Sequence, residues 1–136
     1  MTKPLALVVD DDIDVAGFFL FALQDADYET KVVHDGQKAL AALQQLTPHV
    51  IILDMYLPDT TGKDILQHIV NDGRFADSWV IVATGVGKAL EGWVEQHADF
   101  TLVKPVDYSQ VYALLSRLRD DYKSQYNKSG IWGARK

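Results

Sequence analysis

The sequence predicts an α/β domain: a five-stranded parallel sheet, doubly wound with helices on both faces. Three observations carry this expectation. Short unbroken runs of Val, Ile and Leu alternate with stretches of helical periodicity along the whole chain. Those runs lack the apolar–polar alternation of a strand wetted on one side, so they read as strands covered on both. Several runs also end abruptly in a polar group, at Asp10, Asp54, Thr84 and Lys104.

The elements follow in order. Residues 4–9 (PLALVV) form the first strand and stop at Asp10-Asp11-Asp12. Residues 13–25 predict a helix, because Val15, Phe18, Phe19, Ala22 and Leu23 recur at three and four and make one buried face. The acids before it suit the positive end of the helix dipole. Residues 28–33 (YETKVV) are a weaker, β-branched strand. His34-Asp35-Gly36 is a turn in which Asp35 caps the helix QKALAALQQL, with Ala39, Leu40 and Leu43 facing inward. Thr47-Pro48 closes that helix. The strand VIILD (50–54) comes next, and it ends at Asp54 because Pro58 cannot continue a ladder.

The second half repeats the pattern. Residues 62–70 read as a helix with Ile65, Leu66, Ile69 and Val70 inward, stopped by a left-handed cap in Asn71-Asp72-Gly73. SWVIVA (78–83) is the fourth strand and runs into Thr84-Gly85-Val86-Gly87. A short helix is expected over 89–96, with Leu90 and Val94 inside. DFTLV (99–103) is the fifth strand, ending at Lys104-Pro105. The last helix, 109–121, carries Val111, Leu114, Leu115 and Leu118 at helical spacing. Residues 122–136 have no periodicity, so the expected domain is 1–121 with a tail.

Composition narrows the function. The 136 residues are 48% hydrophobic and 24% charged, the balance of a soluble globular domain. A net charge of -6 argues against a nucleic-acid-binding surface. The absence of cysteine excludes disulfides and thiolate metal sites. The opening stretch is too short and too acidic for a signal peptide or a membrane span, so the expected setting is cytoplasmic.

In a parallel sheet with right-handed crossovers every strand end points the same way. Asp10, Asp11, Asp12, Asp54, Thr84 and Lys104 are therefore expected along one edge, where open α/β sheets bind their ligands. Like charges about 4 Å apart repel by roughly 1–4 kcal/mol, so Asp10, Asp11 and Asp54 call for a cation. Oxygen-only ligands make it hard, Mg²⁺ before Mn²⁺. With Lys104 as a point charge and Thr84 as a hydroxyl donor, the edge suits a transferring phosphoryl group. The most central carboxylate, Asp54, is the candidate nucleophile that forms an acyl phosphate.

At this point VVDDD (8–12), DGQKAL (35–40), IILDMYLPDTTG (51–62), VATG (82–85) and LVKP (102–105) stand in order. Together they resemble the receiver domain of bacterial two-component response regulators, the CheY-like family, over residues 4–121. The resemblance implies the strand order 2-1-3-4-5 and a signalling module rather than an enzyme in its own right. It implies phosphorylation of Asp54 and a Mg²⁺ site of Asp10, Asp11, Asp54 and the Tyr56 backbone carbonyl. Thr84 and Lys104 would stabilise the phosphoryl group, and Pro105 would follow a cis bond. The implied donor is a sensor histidine kinase or a His-containing phosphotransfer protein. A downstream target or output domain and a homodimer are further implied partners, with no direct nucleic-acid or membrane binding. The switch positions fall on Thr84 and Thr101, where the family usually has an aromatic at the second. Phe100 should lie on the opposite face of that strand. Tyr56 and Val86, at the positions that flank the attacking water, offer no amide or acid to orient it, which implies a long-lived phosphoryl group.

Plainer readings apply elsewhere. Asp12 and Asp35 are expected as helix caps, and Asp59, Lys63, Asp64 and Lys88 as solvated charges. His34, His49, His68 and His97 show no ligand spacing. Trp93 is a candidate for an interaction face, and Trp132 for packing back on the domain. An aspartyl-phosphate phosphatase would need another acid pair after a later strand, and a calcium loop fails at Val15. The alternative is a degenerate receiver that binds partners without phosphorylation. Such a domain would normally lack an acid or the lysine, and this chain has all of them.

Overall fold

The computed structural model describes residues 3–85 and 90–127, with residues 122–127 described by their backbone alone. Five strands, β1 (Leu5–Val9), β2 (Glu29–Val33), β3 (Val50–Asp54), β4 (Trp79–Gly85) and β5 (Phe100–Lys104), form one sheet in the order β2-β1-β3-β4-β5. Every pairing is parallel. The helices are α1 (Ile13–Asp25), α2 (Gly36–Gln45), α3 (Gly62–Val70), α4 (Gly92–His97) and α5 (Tyr108–Asn127). The expected architecture and strand order are both present.

The uninterrupted apolar runs now have their reason. Leu7, Val9, Ile51, Leu53, Val80 and Val82 point to one face, where α2, α3 and α4 cover them. Ala6, Val8, Val50, Ile52, Ile81 and Ala83 point to the other, under α1 and α5. Strand residues alternate faces, so two buried faces demand apolar residues at every position. Each fully buried Leu, Ile or Phe contributes about 1.5–3 kcal/mol relative to exposure, and within the sheet Leu7 of β1 and Ile51, Ile52 and Leu53 of β3 are all of this kind. Those two strands hold the acids, so the site sits on the most deeply buried part of the sheet.

Two helix starts follow the expected caps, Asp12 and Asp35, and Thr61 caps a third. Asp12 accepts from the amides of Asp14 and Val15, Asp35 from Lys38, and Thr61 from Asp64. Each satisfies an amide that the first helical turn leaves free.

Several expectations change. Val70 is 41% exposed and lies outside the face made by Ile65, Leu66 and Ile69. The end of α3 is right-handed at Asn71 (φ -83), and the chain continues into a 3-10 turn, Gly73–Phe75, capped by Asp72. That turn brings Phe75 into the core at 2% exposure. Among the described non-glycine residues the positive φ belongs instead to Asp27 (φ 73), just past α1. A short polar side chain tolerates that conformation. The fourth helix begins only at Gly92, and its N-cap Glu91 makes no side-chain capping bond. Leu90 reaches the core from ahead of the helix, and Ala89 lies outside the described residues. The last helix continues to Asn127 rather than ending at Asp121. Trp93 is half-buried against the first core and stacks on His97 at 4.3 Å. Trp132 lies outside the described residues. No described helix is long and apolar enough to cross a membrane.

Candidate functional site

The carboxyl edge of the sheet gathers the predicted residues. Asp10 follows the last residue of β1 and Asp54 ends β3; they are 1% and 6% exposed. Asp11 is exposed beside them. One carboxylate oxygen from each of Asp10, Asp11 and Asp54 lies within 4.8 Å of the others. Lys104, at the end of β5, places its Nζ 2.9 Å from Asp10 Oδ2 and 3.4 Å from Asp54 Oδ1. Thr84, near the end of β4, is buried, and its Oγ1 has no hydrogen-bond partner among the described residues. The Lys104-Pro105 bond is cis.

The backbone around these groups is tightly held. Asp10 Oδ1 accepts from the Asp12 amide at 3.0 Å, and His34 Nδ1 contacts the Asp10 carbonyl at 2.9 Å. After Asp54 the chain makes a closed loop: Gly62 N–H donates to the Met55 carbonyl at 2.8 Å, and Tyr56 bridges Thr61. Gly62 is required here, since a Cβ would fall 2.6 Å from the Asp54 carbonyl oxygen. The Tyr56 amide donates to Asp54 Oδ1 at 3.4 Å.

The electrostatics follow. Burial pushes the Asp54 carboxyl above the usual carboxylate range, and the neighbouring Asp10 charge pushes it further; Lys104 and the Tyr56 amide oppose both. Lys104 is held above its ordinary range: burial works against its charge but is outweighed by the bond to Asp10 and the charges of Asp10 and Asp54. Three carboxylates face one ammonium, so the site carries an excess of negative charge. An unpartnered buried hydroxyl beside it costs roughly 1–3 kcal/mol until something accepts its proton. The geometry is that of an oxygen-rich cation site with an anion-binding donor and lysine on its flank.

Residues 6–116 match the sequence model of the response regulator receiver domain. The chain belongs to that family. It is 32% identical over 118 residues to the DNA-binding dual master transcriptional regulator RpaA of Synechocystis sp., covering 85% of this chain and 48% of that protein. It is 31% identical over 114 residues to the DNA-binding response regulator MtrA of Mycobacterium tuberculosis, covering 83% of this chain and 50% of that one. The chain thus spans about half the length of these curated relatives. Among solved structures, a receiver domain ascribed to a Luxo repressor protein of Vibrio parahaemolyticus superposes with a TM-score of 0.81 at 25% identity. It covers 95% of this chain and 99% of its own.

Other positions of this receiver domain differ from the sequence reading or lie beside it. Thr101 is exposed on β5, while Phe100 and Leu102 pack on the opposite face with the α1–α5 core. Thr101 therefore presents a small hydroxyl to solvent, with the neighbouring Phe100 ring turned away against Trp79. Val86 and Lys88 lie outside the described residues. Lys63 forms a 2.6 Å ion pair with Glu91 instead of standing free, and both border a cleft of about 170 Å³ beside Tyr56. Asp64 accepts from the Thr60 hydroxyl at 2.8 Å. His49 is a buried structural residue whose Nε2 contacts the Leu118 carbonyl at 2.8 Å.

Sequence reasoning missed Asp59. Its Oδ1 and Oδ2 accept from the amides of Gly36 and Gln37 at 2.7 and 2.9 Å, tying the loop after β3 to the start of α2. The Gly36 amide is the main reason its carboxyl lies below the usual range; burial opposes it, and the Gln37 amide adds to the lowering. No local signal marks it, because its partners are 23 and 22 residues away.

Proposed function

We propose that this receiver domain accepts a phosphoryl group on Asp54 and signals through the change it causes. The observation that supports this most is the convergence of Asp10, Asp11, Asp54 and Lys104 around one buried carboxylate. A binding-only receiver has no need of that arrangement, since crowded buried charges cost stability without a ligand.

The residues present fit a hard divalent cation. Carboxylates within 4.8 Å of one another and an excess of negative charge match what Mg²⁺ takes. Asp10, Asp11 and Asp54 would hold it, with the Tyr56 carbonyl implied by the family pattern and Mn²⁺ as a substitute. Bound there, the cation supplies positive charge that offsets carboxylate repulsion and the charge of an incoming phosphoryl group.

The chain's own groups carry the transfer. An oxygen of Asp54 attacks the phosphorus of a phosphoimidazole, on a sensor histidine kinase or a His-containing phosphotransfer protein. The P–O bond forms as the P–N bond breaks, and its electron pair stays on the imidazole ring. Lys104, already paired with both carboxylates, moves its attraction to the phosphoryl oxygens, and the Thr84 hydroxyl donates to one of them. That donation gives Thr84 the partner it lacks. Phosphate at Asp54 then biases a two-state equilibrium that a partner or output domain reads. With Thr101 small and exposed, that relay runs through Thr84 and the start of α4 without a rotating aromatic.

Acetyl phosphate with Mg²⁺ tests the reading. Intact mass should show one added phosphoryl group on wild type and none on Asp54→Ala. An unmodified wild type would leave the degenerate, binding-only receiver as the better account.

A further inference from the structure

The geometry points to Asp59 as a positioning residue: clamped on the first amides of α2, its carboxylate fixes the loop that leads out of Asp54 and sets Mg²⁺ affinity. The inference rests on the phospho-acceptor reading above, because it assigns the Tyr56 carbonyl, carried by that loop, to the cation.

The loop is a ring closed at its base and bolted at its tip. At the base, Tyr56 bridges Thr61, Leu57 N–H donates to the Thr60 carbonyl at 3.3 Å, and Gly62 N–H donates to Met55. At the tip, both oxygens of Asp59 are used, one on Gly36 and one on Gln37. Asp35 takes the next amide of α2, from Lys38 at 2.7 Å, and its carbonyl accepts from Ala39. The amides that a helix start normally leaves to water are thus divided between its own cap and a foreign carboxylate. The contact is close as well as polar: a Cβ on Gly36 would lie 2.1 Å from the Thr60 methyl.

From this clamp the path to the acidic cluster is short. Asp59 sits three residues past Tyr56, and the Tyr56 amide already reaches Asp54 Oδ1 at a long 3.4 Å. A shift at the tip of a closed ring moves its base. The Tyr56 peptide would turn, and with it both the amide on Asp54 and the carbonyl assigned to the cation. Partners that orient metal ligands from outside commonly change affinity by about 10–100-fold when removed. Asp59 would act the same way on a backbone ligand, across two loops of the same sheet edge.

The test uses the full chain and Mg²⁺ itself. Isothermal titration should show Asp59→Ala binding Mg²⁺ about tenfold more weakly than wild type, with the far-ultraviolet circular dichroism of a folded domain. Phosphorylation by acetyl phosphate should slow at low Mg²⁺ and recover towards wild type at saturating Mg²⁺. Asp59→Asn should fall between them, since its one carbonyl oxygen can still accept from one amide. Gly36→Ala should weaken Mg²⁺ binding by pressing on the Thr60 methyl, and adding Thr60→Ser should restore it. If Asp59→Asn and Gly36→Ala bind Mg²⁺ like wild type and only melt earlier, Asp59 is a helix cap and the inference fails alone. A wild type that binds no Mg²⁺ would sink the phospho-acceptor reading along with it.

Discussion

The ammonium of Lys104 lies 2.9 Å from the Asp10 carboxylate, closer than its 3.4 Å approach to Asp54. The lysine is thus held chiefly by Asp10 and only loosely by Asp54. It neutralises part of the charge that the cation would otherwise neutralise. Lys104→Met should therefore lower stability in chelator by about 1–3 kcal/mol, as expected for removing a charged hydrogen-bonding partner. The same change should tighten Mg²⁺ binding, because two cations no longer compete for one cluster, while phosphorylation slows. Chemical denaturation and metal titration check the pair of effects; weaker Mg²⁺ binding would show that Lys104 does not compete.

Asp54 should cost the empty site stability at neutral pH. Its carboxyl is raised, chiefly by burial and then by Asp10, so the folded chain holds its proton to higher pH than the unfolded chain does. The native state then binds more protons, and stability falls as pH rises from the unfolded value through the folded one. Below the unfolded value the cost is absent. Asp54→Asn should raise Tm in chelator at pH 7 by a few degrees, and the gain should shrink towards pH 4. A gain that grew on acidification would contradict the assignment.

The phosphoryl group should be long-lived, and Tyr56 should be one reason. The residue is 50% exposed, and its side chain carries no amide or acid to aim a water. Tyr56→Asn should shorten the lifetime on the order of tenfold, the scale of a better-positioned reactant. Loss of label measured after removing the donor decides it. Equal lifetimes would place the control elsewhere.

Phe75 should be a principal anchor of the first core. It enters from a three-residue turn yet is 2% exposed, in contact with the face made by α3 and β4. Phe75→Ala should cost about 3–5 kcal/mol in urea unfolding. A loss under 1 kcal/mol, the scale of a surface change, would mean that the turn can collapse into the space.

Much of this was legible in the residues. VIILD shows a strand buried on both sides because it never alternates, and its terminal acid marks the sheet edge. Asp12 and Asp35 show as caps because capping is local: donor and acceptor lie within three residues. The illegible parts are those decided at a distance. Asp59 looks like a solvated loop acid until α2 is folded against it, and Lys63 until Glu91 arrives at 2.6 Å. Phe75 sits in a turn too short to show periodicity. The end of α5 escaped for a related reason: beyond Asp121 the sequence YKSQYN has no aliphatic residue to extend the spacing of Val111, Leu114, Leu115 and Leu118.

The central claim is that the buried carboxylate of Asp54 is the acceptor, and trapping tests it most directly. After treatment with acetyl phosphate and Mg²⁺, hydroxylamine converts an acyl phosphate to a hydroxamate that peptide mass spectrometry can place. The modification should fall on Asp54, disappear with chelator, and be absent from Asp10 and Asp11. A hydroxamate on another acid, or none in wild type under conditions where Mg²⁺ binds, would contradict the account.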